Sequence, residues 1–100
     1  MTMPERRIED LDERQDRIVI DVREPDEFAS GHVPGARNIP LASVTQHAKE
    51  LRGVGEVNVI CQSGYRSAQA TEALRAAGVD AVDVPGGTSA WIEAGRPIER

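Results

Sequence analysis

Only one cysteine, Cys61, occurs in 100 residues, so no disulfide can close within the chain and no zinc site of the CxxC kind can be built. Aromatic residues are nearly as scarce. One Phe, one Tyr and one Trp leave the core to Val, Ile, Leu and Ala. Basic residues fall short of acidic ones, 12 against 17, and a formal charge of -5 argues against nucleic acid as the main partner, since phosphate binding needs a basic surface. No apolar run approaches the ~20 residues of a membrane-crossing helix. The polar opening MTMPERRIED is not patterned as a signal peptide. The expected setting is therefore a reducing cytoplasm, with no membrane partner and, because no long apolar surface stripe is evident, a monomer.

What is present fits one modest α/β domain. Hydrophobic residues make up 39% and charged residues 29% of the chain, the balance of an ordinary globular protein with a single core. Residues 1–16 form a polar segment in which Ile8 and Leu11 suggest either one helical turn or a short edge strand. It is expected to pack on a domain spanning 17–98. RIVIDV from Arg17 is a β-branched strand ended by Arg23-Glu24-Pro25, and Pro25 suits the first position of a short helix, PDEFAS, stopped by Gly31. A turn-rich loop with a brief strand near Ala36–Ile39 follows. Leu41, Val44, Ala48 and Leu51 recur at helical spacing, which predicts an amphipathic helix closed by Gly53. VNVIC is a second strong strand, and Ser67–Ala77 a helix whose five alanines imply close packing on a sheet. Asp80–Val84 gives a third strand, and TSAWIEAG a short last helix. Alternating strands and helices predict a layered fold on a mainly parallel sheet.

In such folds ligands sit beyond the carboxyl ends of the strands. Cys61 falls there, closing a strand and opening the turn CQSGYRS ahead of a helix. Amides of a tight loop and a helix N-terminus together favour an anion. Gly64 frees the backbone for such a loop, and Arg66 adds a permanent charge with several donors. The expected anion cradle is therefore Gln62, Ser63, Gly64, Tyr65, Arg66 and Ser67 around a nucleophilic Cys61. Lowering a thiol pKa from ~8.5 to ~6.5 raises the thiolate fraction at neutral pH about 25-fold, from ~3%. Nucleophilicity falls about eightfold at the same time, leaving a net gain of only ~3-fold. Holding the anionic substrate and intermediate is thus the larger service of the loop.

CxxGxRS after a buried strand resembles the active-site loop of the rhodanese sulfurtransferases. Asp21-Val22-Arg23-Glu24, Glu27-Phe28 and Gly31-His32-Val33-Pro34-Gly35-Ala36 are similar to that family's N-terminal signature. Gly86-Gly87-Thr88, Ala90-Trp91, Gly95 and Pro97 are similar to its C-terminal one. The resemblance covers about Arg17 to Ile98. It implies a rhodanese-like three-layer fold with a mainly parallel five-stranded sheet and helices on both faces. It also implies that Cys61 takes a sulfur atom from a small anionic donor such as thiosulfate, becomes a persulfide, and passes the sulfur to cyanide, a thiol or an acceptor protein, with no metal or organic cofactor. A persulfide carrier or regulatory module for a protein partner would need the same loop. Cys-based phosphatases use Cys-x5-Arg around a phosphate, whereas four residues separate Cys61 from Arg66 here, a ring better suited to one sulfur atom.

Other residues receive plainer readings. Asp21 and Arg23, also at a strand end, could touch substrate or orient the loop; the favoured reading is an internal salt-bridge network with Glu24 or Glu27 as partner, which supports the loop indirectly. His32 is read as a structural hydrogen-bonding residue and His47 as a solvated flank. Ser67 could donate to the sulfur or cap the following helix. Gln62 and Tyr65 are expected to face outward and shape the entrance, with Tyr65 a candidate for acceptor recognition, and Trp91 is assigned to the core.

Overall fold

The computed structural model describes residues 3–100. Its elements run α1 (Ile8–Asp12), β1 (Ile18–Asp21), α2 (Pro25–Ala29), β2 (Arg37–Asn38), a 3₁₀ helix (Leu41–His47) continuing into α3 (Ala48–Leu51), β3 (Val57–Ile60), α4 (Tyr65–Ala76), β4 (Ala81–Asp83) and α5 (Gly87–Glu93). The strands form one parallel sheet in the order β2-β1-β3-β4. In the register Ile18 pairs with Val57, Asp21 with Ile60 and Val59 with Asp83. All carboxyl ends therefore open on one edge, where Cys61 follows β3.

Side chains alternate across each strand and sort the apolar residues into two layers. Val57, Val59 and Cys61 join Ile20, Val44, Leu51, Ala70, Leu74 and Ala81 on one face. Val19 and Ile60 join Ile8, Leu11, Val33, Val84 and Trp91 on the other. Small residues let α4 lie close to the strands, since Ser67, Ala70, Thr71 and Leu74 are its buried face. Trp91 is fully buried, and its Nε1 donates to the Pro97 carbonyl at 2.7 Å, which supplies the partner that a buried indole N–H needs.

The sheet among the described residues has four strands, not the five expected. On the outer edge of β4 the chain makes one parallel bridge, Glu5 with Asp83. The Arg6 N–H donates to the Asp83 carbonyl at 2.7 Å, and the Asp83 N–H donates to the Pro4 carbonyl at 3.0 Å. Pro4 has no N–H to extend the ladder, and α1 begins at Ile8, so the pairing stays one residue long. Ile8 and Leu11 thus belong to a helical turn that follows an edge bridge.

The segment Leu41–Leu51 is likewise not a single α-helix. Leu41 and Val44 lie three apart, the repeat of a 3₁₀ helix, and the Ser43 hydroxyl turns back to the Pro40 carbonyl at 3.2 Å. True α geometry starts only at Ala48. Of the four expected residues Val44, Ala48 and Leu51 are buried, and Leu41 is partly buried against the same cluster. His47 lies against Glu50 and Arg37 on the exposed side of this segment.

Candidate active site

Cys61 is the first residue after β3, and its side chain is 1% exposed. The turn that follows is shaped by Gly64, whose φ of +108° is open to glycine but unfavourable for other residues. A Cβ there would lie 2.4 Å from the Pro85 carbonyl oxygen, so absence of a side chain also lets the loop pack on the turn between β4 and α5. That conformation aims the Gly64 N–H at Cys61 Sγ, 3.1 Å away. Ser67 Oγ lies 3.4 Å from the same sulfur.

These contacts set the thiol's acidity. Burial of the sulfur pushes its pKa up, but the Ser67 hydroxyl and the N–H groups of Ser67, Gly64 and Ser63 outweigh that effect and bring it below the ordinary thiol value. Ser67 therefore hydrogen-bonds the sulfur from the first turn of α4. It does not act as the helix N-cap, a place taken by Gly64. The helix begins two residues earlier than expected, so Tyr65 and Arg66 belong to its first turn and not to the loop proper. Tyr65 is 76% exposed and stands at the rim.

Arg66 is held in a two-pronged ion pair. Its Nη1 donates to Glu27 Oε1 at 2.7 Å and its Nη2 to Glu27 Oε2 at 2.9 Å. The guanidinium beside Glu27 holds that carboxyl down at about 2, and the Arg66 charge is felt at Cys61 as well. Glu27 is thus the partner of Arg66 rather than of Arg23, a correction to the sequence reading. Arg23 pairs with Asp21, two residues away on the same side of an extended chain, with Nε at 3.0 Å from Oδ1 and Nη2 at 2.8 Å from Oδ2. Both side chains are buried, and Glu24 plays no part in the pair. Extended backbone brings residues i and i+2 to one face, and that spacing was the signal in the sequence for this pair.

The Asp21–Arg23 pair reaches the loop through Gln62. Arg23 Nη1 donates to Gln62 Oε1 at 3.1 Å, and Gln62 Nε2 donates to Ser89 Oγ at 2.7 Å. Gln62 is therefore half-buried and faces inward, between β1 and α5, contrary to the outward orientation expected of it. The loop backbone is fixed to α5 as well: the Thr88 N–H donates to the Cys61 carbonyl at 2.8 Å and the Ser89 N–H to the Gln62 carbonyl at 3.0 Å. Thr88 and Ser89 were not singled out as site residues from sequence; their position just after the Gly86-Gly87 turn was the available signal. His32 is apart from the thiol chemistry in its contacts: its Nδ1 faces the Phe28 carbonyl at 2.8 Å, and its ring stacks on Phe28 at 3.6 Å.

One buried group has no counterpart in the sequence reading. Asp83 is 2% exposed, and its Oδ1 has no hydrogen-bond partner among the described residues. Burial pushes its carboxyl pKa up. Thr71, one helical turn beyond Ser67, also keeps a buried hydroxyl with no partner among the described residues.

Comparison with known proteins agrees with this geometry. The family model described as Rhodanese-like domain matches residues 5–94. An uncharacterized protein of Bacillus subtilis, YqhL, is 43% identical over 74 residues, covering 73% of this chain and 59% of that protein. A sulfurtransferase of Allochromatium vinosum is 34% identical over 89 residues, covering 88% of this chain and 83% of that one. The crystal structure of a rhodanese-related protein from Thermoplasma volcanium superposes with a TM-score of 0.89 at 38% identity, covering 96% of this chain and 97% of that one. Against some curated relatives the chain spans only a little over half the length, 59% and 55% in two cases. With the sheet, the thiol loop and these matches in agreement, the chain belongs to the rhodanese-like domain family, among whose members are proteins named sulfurtransferases.

Proposed function

We propose that this protein is a cytoplasmic sulfurtransferase that moves a sulfane sulfur from a small anionic donor, thiosulfate being the reference case, to a thiol, cyanide or an acceptor protein. The observation that carries the reading is the buried Cys61 sulfur, with the Gly64 N–H at 3.1 Å and the Ser67 hydroxyl at 3.4 Å. Those donors favour the thiolate and remain in place for an anion one atom longer. In the first half-reaction the Cys61 thiolate attacks the outer sulfur of thiosulfate. A new S–S bond forms, the donor's own S–S bond breaks, and sulfite departs with the electron pair. Cys61 is left as an anionic persulfide. In the second half, cyanide or a thiolate attacks the terminal sulfur and carries it off as thiocyanate or a new persulfide, and the Cys61 thiolate returns. Asp21 and Arg23 support this chemistry from behind by holding Gln62, and so the loop.

The test is intact mass of the reduced protein after brief exposure to thiosulfate, before and after cyanide, beside Cys61→Ser. The expected result is a gain of one sulfur atom that cyanide removes as thiocyanate, with the variant inert. No gain from thiosulfate, from mercaptopyruvate or from a persulfide donor would overturn the reading. Loading only from, or delivery only to, one partner protein would make the chain a sulfur carrier rather than a turnover enzyme.

A further inference from the structure

Arg66 is the only basic residue between Cys61 and Ser67, and its charge does not face the entrance uncompensated. Glu27 meets it with both oxygens, at 2.7 and 2.9 Å. The carboxylate is itself steadied by the Glu24 N–H, which donates to Glu27 Oε1 at 3.0 Å, so the pair is anchored to the start of α2. About a third of each side chain is exposed, 30% for Arg66 and 34% for Glu27, which places the pair at the mouth of the site rather than deep in it. Arg23, the other cation near the loop, is likewise matched by Asp21 at 2.8 Å. Each arginine near the thiol therefore brings its own carboxylate. The groups left to greet an incoming anion are N–H dipoles and the remaining donors of Arg66, not a net positive charge.

We propose that Glu27 is a specificity-determining residue, which offsets the charge of Arg66 so that the site disfavours doubly charged sulfur donors relative to singly charged ones of the same chemistry. The inference rests on the sulfur-transfer reading above. Because the Arg66 guanidinium holds the Glu27 carboxyl at about 2, the offset persists throughout the working pH range. The chemical class it favours is an organic thiosulfonate or an alkyl persulfide, each with one negative charge, over dianionic thiosulfate.

Thiosulfate and methanethiosulfonate make a matched pair of probes: both lose a sulfur-centred anion when a thiolate attacks their outer sulfur, and they differ by one charge. Glu27→Gln keeps the shape and removes the carboxylate charge. One unit charge ~6 Å from the substrate in a partly screened site corresponds to about a tenfold effect. The ratio of kcat/KM for thiosulfate to that for methanethiosulfonate should therefore rise about 3- to 10-fold in Glu27→Gln, mainly through KM. Any change in thiol acidity acts on both donors and cancels in the ratio. Glu72→Gln, which alters net charge equally at an exposed position whose side chain makes no hydrogen bond among the described residues, should leave the ratio unchanged. An unchanged ratio in Glu27→Gln, or an equal rise in Glu72→Gln, would overturn the proposal. The unmodified protein gives a test that needs no variant: its thiosulfate KM should change less than about twofold between low and physiological salt, and a steep rise would reveal an uncompensated cation and overturn the proposal too. If neither donor loads Cys61 in the unmodified protein, the sulfur-transfer reading itself fails, an outcome distinct from loading without charge selectivity.

Discussion

Gly87 opens α5 at the point where that helix meets the thiol loop, and replacing it with alanine tests how tightly the two are joined. Its φ is +67°, a left-handed angle that costs an L-residue roughly 1–2 kcal/mol. A Cβ built there would lie 2.4 Å from the Gln62 carbonyl oxygen, 2.7 Å from its carbon and 2.8 Å from the Cys61 carbonyl oxygen. All three are backbone atoms, which cannot rotate aside as a side chain would, so the loop or the helix must shift, at a further ~1–3 kcal/mol. The sum of ~2–5 kcal/mol is a large part of the ~5–15 kcal/mol that stabilises a typical domain. At ~4–8 °C per kcal/mol for a domain of this size, Gly87→Ala should melt at least ~8 °C lower than the unmodified protein. Gly53→Ala is the control: φ is +76° but nothing lies within 4 Å of the added carbon, so only the backbone penalty applies. Thermal unfolding followed by calorimetry separates the two. Below the melting range, Gly87→Ala should also take up sulfur more slowly, because the displaced carbonyls belong to the thiol loop itself. Equal melting temperatures for the two variants, within ~2 °C, would refute the claim that backbone contact between α5 and the loop is rigid.

Two further outcomes follow from the pKa directions. Ser67→Ala removes the hydroxyl that, after burial, has the largest influence on Cys61 and lowers its pKa; the pH at which alkylation by iodoacetamide accelerates should therefore move upward, with the rate below that pH falling because less thiolate is present. An unmoved pH profile would leave the Ser67 contact without effect. Asp83→Asn should stabilise the protein at neutral pH, since it removes the charge of a carboxyl that is only 2% exposed and that burial disfavours in its ionised form. Burial raises the folded-state pKa of Asp83, so its stability contribution is complete below the unfolded pKa and is lost as pH rises through the folded one. The gain on substitution should accordingly fade near pH ~3.5 in urea unfolding, and a gain independent of pH would contradict the assignment.

The order of elements was legible because strand and helix periodicity here is little disturbed. The β-branched runs at 18–21 and 57–60 read as buried strands, and a lone thiol at the end of one, followed by Gly64 and Arg66, already marked the candidate edge. Local pattern failed where hydrogen-bond supply, not hydrophobicity, decides. Pro4 limits the fifth strand to a single bridge, and the three-residue spacing of Leu41 and Val44 accommodates 3₁₀ as readily as α geometry.

By itself, the sequence determined the α/β architecture, the place of the lone thiol at a strand end, the size of its loop and the glycine that lets an amide face the sulfur. These are local properties: side-chain alternation, turn chemistry and the count of residues from Cys61 to Arg66. Only the tertiary structure decided which charges meet. Glu27 and Arg66 are 39 residues apart in the chain, and Gln62 and Ser89 are 27 apart. Sequence spacing sets no preference among several acidic residues as partner for a given arginine; the packing of α2, α4 and α5 around one edge of the sheet does.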